Sequence, residues 1–156
     1  MKKGKNSLLT VRVIKDKIKT YMPSNYKIKK WANLAFKKNQ ESIIIIKLAN
    51  PREIMKLNMQ YFKKNKACNV LAFPNNSFLE TGEYLLGDIV ICPNIVKRES
   101  ILYNKKIDNR WAHMIIHSML HIQGYTHKVE KDKNLMEKKE RELMNYLGYS
   151  DPYYAN

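Results

Sequence analysis

All four histidines of the chain fall within fifteen residues, and the last three, His117, His121 and His127, follow the pattern His-x3-His-x5-His. In a helix, residues four positions apart lie one above the other, so His117 and His121 would present their imidazoles to the same point. Gly124 can adopt the positive φ that ends a helix, which would let the chain turn back and deliver His127 to that point. The spacing therefore predicts a helix, a tight turn and three converging histidines.

Three neutral imidazoles with one coordination position left open are typical of a catalytic zinc site rather than a structural one. We therefore predict that His117, His121 and His127 bind one Zn²⁺ per chain. Unrelated surface or core histidines are a poor alternative, because no histidine lies elsewhere in the sequence. His113 lies one turn earlier on the same helix face. We interpret it as a residue outside the ligand set that supports the ligands or faces the substrate.

The length and composition indicate one ordinary domain over residues 1–156, with 44% hydrophobic residues to form a core. No apolar stretch approaches the roughly 18–20 residues needed to cross a membrane, and no apolar segment typical of a signal peptide follows the N-terminal lysines. Cys68 and Cys92 are isolated and form no Cys-x-x-Cys motif. Reduced thiols in a cytoplasmic protein are the simplest interpretation.

The net charge of +15 is concentrated in one part of the chain. Residues 1–66 contain 18 Lys or Arg and three acidic residues, whereas residues 67–156 contain 11 of each. A biased base composition of the gene could raise the lysine content everywhere, but it would not confine the imbalance to one region. The basic excess favours a polyanionic partner, most simply a nucleic acid.

Hydrophobic periodicity and turn residues predict an α/β fold, a single domain with a small four-stranded mixed sheet packed with about five helices. The metal site would lie on a helix and the loop after it. The predicted strands cover residues 7–14, 42–49, 70–73 and 88–92, and the predicted helices cover 24–38, 51–64, 94–103, 108–123 and 129–147. We expect Pro74 to stop the third strand, with a loop over 75–84. The last helix should turn Leu135, Met136, Leu143 and Leu147 inward.

The histidine segment and its neighbours resemble the YbeY family of single-strand-specific endoribonucleases. Residues 110–127 resemble the family signature, whose core is H-G-x-L-H-L-x-G-Y-D-H. Residues 57–61, with the pattern L-N-x-x-Y, and residues 69–74, NVLAFP, are similar to a second family motif. Residues 86–92 match the strand before the histidine helix, and residues 147–153 are similar to the end of bacterial members.

The resemblance implies a zinc-dependent endoribonuclease, a hydrolase of phosphodiester bonds. It would act in the 3′-end maturation of small-subunit (16S) rRNA and in ribosome quality control, with single-stranded rRNA and the small ribosomal subunit as partners. A metal-bound water is the proposed catalytic group, although the ribose 2′-hydroxyl is an alternative attacking group. No protein side chain is assigned a catalytic role. We expect Lys63 and Lys64 to contact the RNA, and we expect no membrane partner. The sequence does not identify protein partners.

Two departures from the family pattern leave a second function open. Phe62 stands where the family usually has an arginine thought to act on RNA, and Lys63 and Lys64 follow it. Thr126 stands where the family has an aspartate before the third ligand. The alternative is therefore an rRNA-binding ribosome-assembly factor with weak or lost cleavage. A metalloprotease is disfavoured because Ser118, not glutamate, follows His117, so the H-E-x-x-H motif is absent.

Overall fold

Four consecutive isoleucines, residues 43–46, lie in a strand that pairs with a neighbour on each side. Ile43, Ile44 and Ile46 are buried, as expected for a strand that is covered on both faces. The computed structural model describes residues 8–153, in which the elements are, in order, β1 (Leu9–Lys15), α1 (Asn25–Ala35), β2 (Ser42–Leu48), α2 (Pro51–Phe62), β3 (Val70–Phe78), β4 (Tyr84–Ile91), α3 (Pro93–Leu102), α4 (Ile107–Ile122) and α5 (Glu130–Tyr146). The start predicted for the first strand, residue 7, lies outside the described residues.

The strands form one mixed sheet in the order β1-β2-β4-β3. β1 and β4 run parallel to β2, whereas β3 is antiparallel to β4 and lies at one edge of the sheet. The predicted fold class, a single α/β domain with a four-stranded mixed sheet and five helices, is confirmed.

Alternate residues of β4 pack into two different cores. Ile89 and Ile91 belong to a large core shared with α1, α4 and α5, whereas Val90 belongs to a smaller core with Ile54 of α2 and Ile95 of α3. Because successive side chains of a strand point to opposite faces, the two cores lie on opposite faces of the sheet. The sheet is therefore enclosed between two layers of helices.

The histidine helix α4 contains more buried residues than any other helix of the described chain. Its apolar face is buried, namely Trp111, Ala112, Ile115, Ile116, Met119 and Leu120. Because α4 packs against β3 and β4 and against α1, α3 and α5, its axis and its rotation are fixed from several sides. Side chains on α4 are consequently held in well-defined directions.

Cys68 and Cys92 both carry free thiols, and Cys92 is fully buried. Burial raises the pKa of both thiols, which favours the protonated form at neutral pH. Among residues 8–153, no helix is both long enough and apolar enough to cross a membrane.

The prediction for β3 was wrong at its C-terminal end. The strand does not stop at Pro74 but continues to Phe78, through most of the predicted loop. Proline lacks a backbone N–H, so it is tolerated on an edge strand, where one side needs no partner. The strand register shifts between Pro74 and Ser77, so the pairing with β4 is interrupted and then resumes.

Gly87 of β4 lies opposite Pro74 and allows the edge strand to approach closely. A Cβ atom added at Gly87 would lie 2.3 Å from the backbone oxygen of Phe73, far inside van der Waals contact. The absence of a side chain at this position therefore sets how tightly β3 packs on β4.

We predict that Gly87→Ala lowers the free energy of unfolding by about 1–3 kcal/mol more than Gly82→Ala does, because overpacking adds to backbone strain. Gly82 is the matched control, since it also has a positive φ, 86°, but an added Cβ meets nothing within 4 Å. Chemical denaturation of the two variants measures the difference. Equal losses in both variants would contradict the close approach.

Candidate metal centre and the cleft around it

Helix α4 ends in a way that returns the chain toward its own histidines. Gly124 has a φ of 109°, as predicted. The Tyr125 N–H donates to the Leu120 carbonyl at 3.1 Å, and the Gly124 N–H donates to the His121 carbonyl at 3.1 Å. This pair of bonds is the Schellman motif, in which a left-handed glycine closes a helix. The motif sets the direction in which the chain continues to His127.

The structure brings the three predicted ligands together. The ring centre of His127 lies 6.0 Å from that of His117 and 6.2 Å from that of His121. All three histidines line one cleft, with a volume of about 380 Å³. His117 and His121 come from successive turns of α4, and His127 comes from the loop after it.

The rest of the cleft is formed by the end of α2, the loop after it and β3. Phe62 is the last residue of α2, Lys64 and Lys66 follow in the loop, and Val70 begins β3. Lys64 thus lies at the cleft, as expected for an RNA contact, and Lys66, which was not predicted, lies there too. Lys63 is the C-cap residue of α2 in a left-handed conformation and is not among the residues that line the cleft.

A fully buried carboxylate, Glu140 of α5, lies behind the histidines of α4. Its Oε2 atom lies 2.5 Å from His113 Nε2 and accepts a hydrogen bond from the Tyr153 hydroxyl at 2.7 Å. Its Oε1 atom lies 3.2 Å from His117 Nδ1. One side chain therefore connects α4, α5 and the segment after α5.

The charge state of this group follows from its contacts. Burial alone would raise the pKa of Glu140, but hydrogen bonds from His113 and His117 outweigh it and lower the pKa to about 2. Burial lowers the pKa of His113 against the opposing effect of Glu140. At neutral pH Glu140 is therefore a carboxylate, and His113 is a neutral imidazole whose Nε2–H donates to Glu140.

Two sets of metal donors share His117. Among the described residues, His113, His117 and Glu140 have possible donor atoms within 4.8 Å of one another, and this group could hold a metal ion. The second set is the predicted one, His117 with His121 and His127, which opens to the cleft. The two sets differ in access, because Glu140 has no exposed surface and His113 is 6% exposed.

Comparisons with known proteins place the chain in a family. The family model described as Endoribonuclease YbeY matches residues 12–148. The chain is 40% identical over 155 residues to the endoribonuclease YbeY of Buchnera aphidicola from Schizaphis graminum, covering 99% of this chain and 98% of that protein. It is 39% identical to the protein of the same name from Dichelobacter nodosus, covering 85% and 88%.

The chain belongs to the YbeY family. The predicted class of enzyme, an endoribonuclease that hydrolyses phosphodiester bonds, is therefore confirmed at the level of the family. The fold is also similar to the solution structure of TM1509 from Thermotoga maritima, with a TM-score of 0.56, 21% identity and coverage of 93% of this chain and 99% of that one.

Thr126, which departs from the YbeY signature, has a carboxylate as its partner. Its hydroxyl donates to Asp132 Oδ2 at 3.1 Å. Asp132 belongs to the first turn of α5, where a negative charge also interacts favourably with the helix dipole. Thr126 and Asp132 line a neighbouring pocket and not the cleft of the three histidines, so this acidic group lies beside the site rather than in it.

Glu140 was missed by the sequence reasoning, although the spacing contains a signal for it. Met136, Glu140, Leu143 and Met144 follow one another at intervals of four, three and one residues, which puts all four on one face of α5, and all four are buried. The prediction instead turned Leu135 inward, and this was wrong, because Leu135 is 59% exposed. A carboxylate on the apolar stripe of a helix indicates a buried partner.

We predict that Tyr153→Phe lowers the free energy of unfolding by about 1–2 kcal/mol, because it removes a hydrogen bond to a buried carboxylate. Tyr146→Phe is the control, since Tyr146 is 77% exposed, and its effect should stay within about 0.5 kcal/mol. Urea denaturation of both variants tests this. Similar values for the two would mean that the Tyr153 hydroxyl does not stabilise Glu140.

Proposed function

We propose that this protein is a zinc-dependent, single-strand-specific endoribonuclease of the cytoplasm. Its proposed role is the 3′-end maturation of 16S rRNA and ribosome quality control, with the small ribosomal subunit as partner and residues 1–156 as one domain. The observation that supports it most is one cleft of a YbeY-family chain that holds three histidines on one side and two lysines on another.

The donor set fits zinc, which prefers neutral imidazoles in a nearly tetrahedral arrangement. Burial lowers the pKa of His121, and the nearby His117 and His127 lower it further, so His121 is neutral at pH 7. His121 shares the cleft with the other two histidines, so three imidazoles, the nitrogen ligands that zinc prefers, are available there. Because Glu140 occupies Nδ1 of His117, the Nε2 atom of His117 is left as its ligand atom.

Glu140 would act on the ligand His117 rather than on the metal. A carboxylate behind a ligating histidine fixes its tautomer and ring orientation and increases its basicity. His113 and Tyr153 hold the carboxylate in place from the other side. We therefore assign the zinc to His117, His121 and His127, with Glu140 and His113 as positioning residues.

The remaining residues would bind and orient the RNA. A bound zinc ion supplies Lewis-acid stabilisation of phosphoryl charge and acidifies a water molecule. Lys64 and Lys66 offer ammonium groups to the neighbouring phosphates of a strand that lies in the cleft. A single strand suits such a cleft, because its bases and its phosphates are both accessible to the lining residues.

A second candidate function is an rRNA-binding assembly factor that cleaves weakly or not at all. The observation that favours it is Phe62, which lines the cleft at the position where an arginine was expected and offers no charge to a phosphate. Zinc-loaded protein that binds single-stranded RNA but leaves it intact would select this function.

We predict that His127→Ala loses the metal and RNA cleavage together, whereas His113→Gln retains about one zinc per chain, as expected for a site with three protein ligands. His127 is exposed, so its replacement leaves the core intact, and the amide of His113→Gln can still donate to Glu140. Metal content by native mass spectrometry and cleavage of a single-stranded RNA are measured on the same preparations.

The opposite pattern would assign the metal to the other donor set. Metal retained in His127→Ala and lost in His113→Gln would select His113, His117 and Glu140. Wild-type protein that is folded but contains no zinc would overturn the proposed centre altogether.

We predict that Lys64→Gln/Lys66→Gln flattens the salt dependence of RNA binding. Each phosphate contact of a single strand contributes about 0.7 to the slope of log K against log salt, so the slope should decrease by about 1.4. Lys133→Gln/Lys138→Gln changes the net charge equally on exposed positions of α5 and is the control. Fluorescence anisotropy at several salt concentrations measures both slopes. An equal decrease in the two double variants would mean that only the overall charge matters.

A further inference from the structure

Helix α2 ends with two exposed aromatic side chains. Tyr61 is 58% exposed and Phe62 is 46% exposed. Both rings contact Phe73 of β3, with ring centres 5.0 Å apart for Tyr61 and 5.8 Å apart for Phe62. We call these three residues, Tyr61, Phe62 and Phe73, the aromatic shelf.

The shelf is held in a fixed orientation. The Phe62 ring is tilted by 30° from the Phe73 ring, whereas Tyr61 meets Phe73 at 64°, edge to face. Phe73 itself belongs to the edge strand, whose distance from β4 is set by the close approach at Gly87. The exposed part of Phe62 is thus supported from behind by a strand of the sheet.

Phe62 is surrounded by the histidines and lysines of one cleft. Phe62 lines the same cleft as His117, His121 and His127. Lys64 and Lys66, two and four residues later, line it as well. An exposed ring next to two ammonium groups matches the two needs of single-strand binding, which are a surface for base stacking and cations for the backbone.

We propose that the aromatic shelf, through Phe62, stacks an unpaired base of the RNA strand that lies across the histidine cleft. The inference rests on the proposed function, since it assumes that the cleft holds RNA. Phenylalanine has no hydrogen-bond donor or charge, so its ring can stack on the face of a base but cannot bind the polar edge of a base or a phosphate. The contact therefore tolerates any base but requires that a base be present and unpaired.

The test measures the affinity of each protein variant for intact RNA and for RNA that lacks one base. A set of single-stranded 2′-O-methyl RNA oligomers, each with one abasic position, is bound to zinc-loaded protein. Wild-type protein should lose affinity roughly five- to a hundredfold when the stacked base is removed, as stacking of one base implies. Removal of bases elsewhere should have a smaller effect.

Three variants assign this loss to Phe62. Phe62→Leu keeps an apolar side chain but removes the ring, so it should bind the intact oligomer as weakly as the wild type binds the critical abasic one, with no further loss on that abasic oligomer. Phe62→Tyr keeps the ring and should restore the wild-type pattern. Phe78→Leu is the control, because Phe78 is 67% exposed and contacts Tyr84 at 5.1 Å but does not line the cleft.

Two outcomes would overturn the proposal. One is a Phe62→Leu variant that binds the intact oligomer as tightly as the wild type. The other is a Phe62→Leu variant that loses the same factor of affinity, relative to the wild type, for the intact oligomer and for the critical abasic one. That result would indicate a packing role for Phe62. Cleavage of unmodified RNA by the wild type is measured separately. Stacking at Phe62 without cleavage would contradict the proposed endoribonuclease but support the aromatic shelf. Cleavage without stacking would support the endoribonuclease and contradict the role of the shelf.

Discussion

Glu140 is a carboxylate with no exposed surface, and its hydrogen bonds connect the three parts of the chain that define the back of the site. Removing a carboxylate from water costs several kcal/mol unless partners replace the lost hydration. Here His113, His117 and Tyr153 replace it, so the loss of any one of them would leave part of this cost uncompensated. The direction of His117 toward the cleft therefore depends on the packing of α5 and of the segment after it.

The front of the site depends on a different constraint, the position of the edge strand. β3 carries Phe73, and its first residues form the side of the cleft next to the histidines. Gly87 lets the backbone of β3 approach β4 at a distance that no other residue permits without a shift. The cleft thus lies between helix α4, which the buried carboxylate of Glu140 holds in place, and strand β3, which packs closely on β4 because Gly87 has no side chain.

Local patterns predicted the parts of the site that are local in the sequence. The spacing of His117, His121 and His127 around Gly124 is contained in eleven residues, so helix geometry and one turn were enough to predict their convergence. The extension of β3 past Pro74 was not predicted, because whether a proline interrupts a strand depends on whether that strand lies at an edge. That property belongs to the sheet and not to the segment.

Glu140 is a second residue whose role could not be predicted from the local sequence. It lies in a helix with many charged residues, and its carboxylate resembles the exposed ones around it unless the stripe of Met136, Leu143 and Met144 is taken into account. Even then its partners come from a helix more than twenty residues earlier and from Tyr153 after α5. Sequence periodicity can show that such a group is buried, but only the tertiary structure shows what it positions.

The two departures from the YbeY pattern have unequal weight once their surroundings are known. Thr126 lacks a carboxylate, and its hydroxyl donates a hydrogen bond to Asp132 of α5. No described contact restores a cation at Phe62 itself, because Lys64 and Lys66 reach the cleft from the loop beyond it. The change at Thr126 thus lies outside the lining of the histidine cleft, whereas the change at Phe62 lies within it and puts an aromatic ring where a charge was expected.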